Sequence, residues 1–181
     1  MKKHELTDDT ITVGGRILHR IKALKSFSDV EEGDLGGYVE KEDNLDHSGE
    51  AWVSGNARVY GNAWVYGDAW VYGDARVSGD ARVYGNARVY GNARVSGDAR
   101  VSGDARVSGE NDYAAAKGFG REYRTTTFFR LQDGGIGVRC GCFCGTLEEF
   151  REKVKETHKE SKMGKEYLML ADLMEYKFKN A

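Results

Sequence analysis

The sequence contains no proline, three cysteines and no long run of apolar residues. Without proline, no strand is interrupted by a missing backbone donor. The cysteines all lie within positions 140–144, which is not the spacing of a secreted disulfide framework. No apolar stretch is long enough to cross a bilayer, and no charged-then-apolar signal sequence opens the chain. We therefore expect a cytoplasmic protein without a membrane segment.

An excess of charge of either sign is also missing. The 181 residues include 27 basic and 29 acidic side chains, and neither end forms a basic arm. A balanced chain has no general attraction to nucleic acid or to anionic lipid. We predict no cofactor, and any recognition of an anion must come from a local cluster of cations.

Glycine is abundant, and much of it is periodic. From Gly49 to Ser108 the chain repeats the hexapeptide Gly-[Asn/Asp]-Ala-[Arg/Trp]-Val-[Tyr/Ser] ten times, with Glu50 as the one variant at the second position. Because alternate side chains of a strand share a face, alanine and valine point one way and the Arg/Trp and Tyr/Ser positions point the other. The Gly-Asn or Gly-Asp pair supplies a corner. This pattern predicts a solenoid with a thin interior of alanine and valine.

The repeat resembles the hexapeptide-repeat left-handed parallel β-helix, in which Val59 is an inward aliphatic residue and Ala63 the inward small residue at a corner. The resemblance implies triangular coils of three hexapeptides, about 18 residues each, stacked about 4.8 Å apart. The left-handed sense comes only from this resemblance. Residues 37–42 and 43–48 continue the repeat in degenerate form, with Val39 and Leu45 at the alanine position. The solenoid is therefore predicted to span residues 37–108 in about four coils.

Both flanks are predicted to be small non-repeating units. Residues 1–36 read as an N-terminal β cap, with a hairpin turning at Gly14-Gly15. Residues 109–124 read as a linker or edge strand. Residues 125–181 read as an α+β module of one hairpin and two helices, the first starting at Leu147 because Thr146 and Glu149 have capping-box spacing. The fold class is thus mainly β, with a small α+β addition.

The flanks also carry a family resemblance. Residues 21–25, 33–40 and 44–45, followed by the repeats, resemble a group of uncharacterised bacterial and prophage proteins described as hexapeptide-repeat or acyltransferase-like. Residues 126–128, 141–143 and 145–146, with Phe150 and residues 155–158, resemble a small C-terminal module of phage-associated proteins. The resemblance implies a fold and a phage setting and carries little mechanism.

The outward side chains form ladders of residues 18 positions apart. One ladder reads Trp52, Trp70, Arg88 and Arg106. Aromatic rings can stack on a ligand, and arginine makes bidentate contacts to phosphate or carboxylate. Stacking within the ladders could equally serve the solenoid alone. The predicted ligand- or partner-binding residues are Trp52, Trp64, Trp70, Tyr66, Tyr72, Tyr84, Tyr90, Arg76, Arg82 and Arg88.

Two kinds of chemistry are alternatives to this binding role. Many hexapeptide β-helices are CoA-dependent acyltransferases with a histidine base on an extruded loop. Here the repeats contain no histidine, and His47, expected at an inward valine position, is the only base that can be nominated. Cys140, Cys142 and Cys144 on one strand share a face, and with His158 they are weak candidates for zinc, although the spacing lacks the usual two-residue knuckle. A core role is the alternative, and we predict neither a catalytic residue nor a metal site.

The sequence therefore predicts a non-catalytic binding protein of phage or prophage type. A thin core and three outward tryptophans favour a homo-oligomer, a trimer or dimer. The expected partner is a host protein or an anionic small molecule such as a signalling nucleotide, which fits a counter-defence role. The alternatives are the acyltransferase and a structural spacer that presents the C-terminal module.

Overall fold

The computed structural model describes residues 2–179. Met1, Asn180 and Ala181, which the predicted cap and module include, lie outside the described residues. The repeats form ten two-residue strands, one per hexapeptide. They are β4 Trp52–Val53, β5 Arg58–Val59, β6 Trp64–Val65, β7 Trp70–Val71, β8 Arg76–Val77, β9 Arg82–Val83, β10 Arg88–Val89, β11 Arg94–Val95, β12 Arg100–Val101 and β13 Arg106–Val107.

Parallel pairing stacks these strands with an offset of 18 residues. Trp52 pairs with Trp70, Trp70 with Arg88, and Arg88 with Arg106. The same offset pairs Arg58 with Arg76 and Trp64 with Arg82. Three sheets result, one for each side of a triangular coil. The predicted β-solenoid and its ladders are confirmed, whereas the left-handed sense stays a prediction.

The glycine at each corner has a positive φ, a backbone conformation that residues with a side chain rarely adopt. Gly79 has a φ of +70°, and a Cβ built there would lie 2.9 Å from the backbone nitrogen of Gly97 in the next coil. Both the left-handed backbone and the close approach exclude a side chain. The neighbouring Asn and Asp side chains bond between coils, as when the Asn62 amide donates to Asp80 at 3.0 Å. Every alanine and valine of the repeats is buried.

The first coil is two residues longer than predicted. Val39 pairs with Val59 and Leu45 with Val65, so both occupy the valine position and not the alanine position. The two extra residues lie between Leu45 and Trp52, because Leu45 is offset by 20 residues from its partner Val65 and Trp52 by 18 from its partner Trp70. A 3₁₀ turn at Glu42–Asn44 precedes them. The buried Asn44 side chain donates to the carbonyls of Gly61 at 3.1 Å and Ala63 at 2.7 Å, which backbone N–H groups serve in the regular coils. This insertion also moves His47 out of the predicted inward position.

The N-terminal cap is a three-stranded antiparallel extension of one solenoid sheet. Its strands are β1 His4–Val13, β2 Arg16–Ala23 and β3 Leu35–Val39. The predicted turn at Gly14-Gly15 is confirmed, with φ values of +56° and +81°. The ammonium of Lys3, fully buried, donates to the carbonyl of Ala51 at 2.7 Å and so closes the open end of the first coil.

Trp52 lies under this cap. Its side chain is 2% exposed, with the ring of Phe27 edge-on at 5.5 Å. Trp52 is therefore not exposed, as a ligand-binding residue was expected to be. The repeat pattern sets the direction of the side chain correctly, but the non-repeating cap covers this first position of the ladder.

The C-terminal module is larger than one hairpin and two helices. Strands β14 Tyr113–Ala116, β15 Thr126–Arg130, β16 Ile136–Cys140 and β17 Phe143–Thr146 form an antiparallel sheet. Helix α1 Leu147–His158 starts where predicted, with the Thr146–Glu149 capping box formed, and α2 spans Lys162–Lys179. Part of the predicted linker is thus the edge strand β14.

The module closes the last coil. Phe129, 2% exposed, belongs to the solenoid core. The backbone N–H of Arg100 donates to the Thr127 hydroxyl at 3.0 Å, and the N–H of Gln132 donates to the Asp104 carbonyl at 3.0 Å. Among the described residues, neither helix has the length and apolarity that crossing a membrane requires.

Replacing Asn44 with alanine should lower the free energy of unfolding by about 1–3 kcal/mol, because two buried carbonyls lose their donor. Asn92→Ala is the matched control, since Asn92 stands at an exposed corner and its loss should change stability by less than about 0.5 kcal/mol. Chemical denaturation of both variants measures the difference. Equal effects would contradict the role assigned to Asn44.

The stability of the N-terminal cap should depend on pH through His4. This ring is fully buried, neither of its nitrogens has a hydrogen-bond partner, and it stacks on His47 with ring centres 4.3 Å apart. Burial, and then the neighbouring His47 and Lys3, lower the pKa of His4 from 6.5 to about 4. The unfolded chain therefore takes up the proton first, and stability falls as the pH drops from about 6.5 to about 4.

The free energy of unfolding lost through His4 over this pH range is up to about 3 kcal/mol. Denaturation curves between pH 7.5 and 4 should show a smaller loss of stability for His4→Leu than for the parent chain. If His4→Leu shows the same pH dependence as the parent chain, His4 is not the group that causes the loss of stability.

Candidate functional site

The predicted binding residues divide among three sides of the solenoid. Face one is the side that carries β4, β7, β10 and β13; face two carries β5, β8 and β11; face three carries β6, β9 and β12. Face one holds Trp70, Tyr72, Arg88 and Tyr90, together with the buried Trp52. Face two holds Arg76, and face three holds Trp64, Tyr66, Arg82 and Tyr84. The ten residues therefore do not form one surface.

Face three carries a continuous aromatic stack. The rings of Trp64 and Tyr66 lie 4.1 Å apart, and those of Tyr66 and Tyr84 lie 4.8 Å apart and 4° from parallel. The next residue in the column is Ser102, so no ring lies below Tyr84. The guanidinium of Arg139 lies 5.5 Å from the centre of the Tyr84 ring instead. The stack thus ends in a cation.

Three guanidinium groups lie around this stack. Burial, followed by the neighbouring Tyr84, raises the pKa of Tyr66, while Arg82, Arg139 and Arg100 act in the opposite direction. None of these three arginines forms an ion pair within residues 2–179. The Nε of Arg139 is buried without a hydrogen-bond partner. We call Tyr66, Tyr84, Arg82, Arg100 and Arg139 the Tyr–Arg patch.

Two members of the patch were not among the predicted site residues. Arg100 is the third residue of the face-three ladder, below Trp64 and Arg82, and the 18-residue offset could have found it. Arg139 belongs to β16 in the C-terminal module. Nothing in the repeat pattern indicates that this strand packs against face three.

The other two faces offer less to an anion. On face one Tyr72 and Tyr90 stack at 5.1 Å. The groove on that face, at Arg88 and Arg106, is also lined by the carboxylates of Glu50, Asp68 and Asp104. Arg106 there is already bonded to the side chain of Gln132. On face two Arg94 approaches Glu110 at 4.0 Å. Face three alone combines a ring stack with a cation from a second structural unit in the described part of the chain.

The three cysteines do not lie on one strand. Cys140 ends β16, Cys142 lies in the turn, and Cys144 lies in β17 opposite Arg139. The prediction that their thiols share a strand face is wrong, because Gly141, with a φ of +58°, turns the chain between them. The Cys140 thiol accepts a bond from the Thr126 hydroxyl at 3.2 Å, and Cys144 lies 3.8 Å from the Ser102 hydroxyl.

The same thiols line an apolar cavity of about 500 Å³ between β17 and α1, together with Phe150, His158 and Tyr167. Across residues 2–179, no three His, Cys, Asp or Glu side chains are grouped closely enough to hold a metal ion. The weak zinc candidates therefore share a cavity wall and not a coordination site.

His47 is engaged in the N-terminal cap. Its Nδ1 accepts a hydrogen bond from the backbone N–H of Lys3 at 3.2 Å, and its Nε2 lies 3.9 Å from a carboxylate oxygen of Glu42. A general base needs a free ring nitrogen within reach of an acceptor's proton. In His47 the nitrogen that could accept a proton, Nδ1, already accepts the hydrogen bond from Lys3.

A scan against protein families agrees with this architecture. The YdcK β-solenoid repeat model matches residues 51–67, 69–85, 81–97 and 87–101. The chain is a β-solenoid repeat protein. The matched segments lie within the repeats and leave both flanks unmatched. No curated protein matches the chain.

The cysteine environments predict different thiol reactivities. Cys142 and Cys144 are exposed, whereas Cys140 is partly buried and bonded. Reaction of the folded protein with a chromogenic disulfide reagent should label two thiols fast and the third slowly, and all three fast in denaturant. A Cys140→Ser variant should lose only the slow phase. Loss of a fast phase in that variant would contradict the placement of the thiols.

Proposed function

We propose that this protein is a non-catalytic binding protein whose ligand is a small anion with a flat ring, bound at the Tyr–Arg patch. The observation that carries the proposal is the parallel stack of Tyr66 and Tyr84 beside three guanidinium groups without ion pairs. A nucleotide has both required parts, a ring that stacks on tyrosine and a phosphate that arginine binds bidentately.

The ligand ring is placed beside the half-buried rings of Tyr66 and Tyr84. Below Tyr84 the column continues with Ser102, which is 3% exposed and has the Cys144 thiol 3.8 Å from its hydroxyl, and Arg139 lies over the Tyr84 ring. The guanidinium of Arg139, at the end of the stack, supplies a further cation to the ligand. Arg82 and Arg100, one coil apart on the same face, bind the negative group.

The resemblance of the N-terminal flank and the repeats to prophage proteins supports a biological setting for this binding. A phage protein that captures a host signalling nucleotide in the bacterial cytoplasm would act in counter-defence. A host protein bound through the same patch is the second candidate partner, and co-purification from the host distinguishes it from a small molecule.

Acyl transfer and a spacer role have less support. The engaged Nδ1 of His47 leaves the acyltransferase without its only nominated base. The insertion of Phe129 into the solenoid core makes the C-terminal module a part of the solenoid's end and not a separately presented unit.

Homo-oligomerisation remains part of the proposal, but fewer observations support it than the sequence suggests. The two caps supply apolar packing at the ends of the thin core. Of the three tryptophans, Trp52 is buried while Trp64 is 36% exposed. A contact between copies would therefore be centred on Trp64 or Trp70, and the mass of the protein in solution tests it.

Isothermal titration with a panel of nucleosides, linear nucleotides and cyclic nucleotides should find a ligand for the parent chain. Tyr84→Leu and Arg82→Gln should each weaken its binding about tenfold or more, because a charge-assisted hydrogen bond contributes about 1.5–3 kcal/mol and 1.4 kcal/mol is tenfold in affinity.

The matched controls stand on face one, where Tyr90→Leu and Arg88→Gln remove the same chemical groups from a similar ladder. These variants should bind as the parent does. No heat with any member of the panel, or an equal loss in the face-one variants, would overturn the proposed site.

A further inference from the structure

A second cavity adjoins the Tyr–Arg patch at the junction of the solenoid and the C-terminal module. It has a volume of about 440 Å³ and is lined by charged side chains, among them Asp98, Arg100, Lys117, Glu122 and Arg124. Arg100 belongs to both the cavity and the patch. Gly141, in the β16–β17 turn just after Arg139, also lines the cavity. The two sites are therefore neighbours on one side of the molecule.

The charges of this cavity do not cancel. Lys117 and Asp98 form an ion pair at 2.6 Å, which together with a hydrogen bond from Thr125 lowers the pKa of Asp98 and keeps that carboxylate ionised. Arg100 and Arg124 form no ion pair within residues 2–179. The carboxylate of Glu122 is the remaining charge of the lining and also has no ion-pair partner there. Two unpaired cations thus face one unpaired anion.

The backbone around Arg124 supports this arrangement. A side chain at Gly141 would lie 2.9 Å from the Nη1 atom of Arg124, so the arginine lies directly against the turn. Tyr123, with a φ of +49°, precedes it and is 68% exposed. This local geometry places the Arg124 guanidinium at the cavity wall near Arg100.

We infer that this cavity is a subsite for a second phosphate group, so that the ligand of the Tyr–Arg patch is a nucleotide carrying at least two phosphates. The inference rests on the proposed function. A ring beside Tyr66 and Tyr84 brings the first phosphate to Arg82 and Arg100. A further phosphate then enters the cavity between Arg100 and Arg124, where two guanidinium groups can bind it from different sides.

Titration calorimetry with adenosine, AMP, ADP, ATP and inorganic tripolyphosphate tests the subsite. In the parent chain the affinity should rise at least about tenfold from AMP to ADP. Arg124→Gln should abolish this rise and leave AMP binding unchanged. Glu122→Gln should strengthen ADP and tripolyphosphate binding, since it removes the one unpaired carboxylate.

Arg121→Gln is the matched control, because Arg121 is exposed in the same segment and does not line the cavity. It should behave as the parent chain does. An equal loss of ADP affinity in Arg121→Gln and Arg124→Gln would overturn the subsite, as would an affinity independent of phosphate number.

The two proposals fail in different ways. If AMP and ADP bind equally and Tyr84→Leu weakens both, the proposed function stands and the subsite is overturned. If tripolyphosphate binds in an Arg124-dependent manner and ATP binds no more tightly than tripolyphosphate, the anionic subsite is supported and the ring-binding part of the proposed function is overturned. If no probe binds, both are overturned.

Discussion

The parallel hydrogen bonds between successive coils determine nearly everything on the surface of this protein. Each coil places its backbone about 4.8 Å from the next, and the offset of 18 residues is kept from Trp52 to Arg106. Every outward side chain therefore lies directly beside its counterpart in the neighbouring coil. A residue type that recurs at one repeat position therefore forms a column of like side chains on the surface.

Columns of this kind have opposite consequences for rings and for charges. Tyr66 and Tyr84 stack favourably, whereas Arg82 and Arg100 are like charges on directly paired residues, which destabilises a sheet. At some corners the repulsion is avoided by alternation, since Asn86 stands between Asp68 and Asp104 and donates to Asp104. In another corner column Asp80 and Asp98 are adjacent carboxylates. On the faces no such alternation relieves the arginines. An anion bound beside them removes a repulsion that the solenoid otherwise carries, which makes these columns suited to anion binding.

How far the sequence predicts this arrangement depends on whether a residue belongs to the repeat. The strands, the corners and the ladders follow from the six-residue period, because the backbone ladder allows one stacking offset. The phase of the first coil does not follow from the period, since two extra residues lie in the non-repeating segment between Leu45 and Trp52. The Asn44 side chain, which takes over two backbone hydrogen bonds in the same coil, is equally outside the repeat pattern. The burial of Trp52 and the position of Arg139 depend on packing of the non-repeating flanks, which carry no period from which to derive it. The cysteine pattern does not distinguish a strand from a tight hairpin, because both permit alternating residues.

Both caps are required by the same backbone geometry that builds the solenoid. An open coil exposes a row of unpaired carbonyl and N–H groups, and here Lys3 serves the Ala51 carbonyl at one end while Thr127 serves the Arg100 N–H at the other. The C-terminal cap must therefore contact the last coil closely. That contact brings β16 against face three and places Arg139 over Tyr84. The regular ladder supplies the rings and two arginines, and only the capped end adds a cation from a separate structural unit. The proposed binding site thus lies at the junction because the solenoid has to end there.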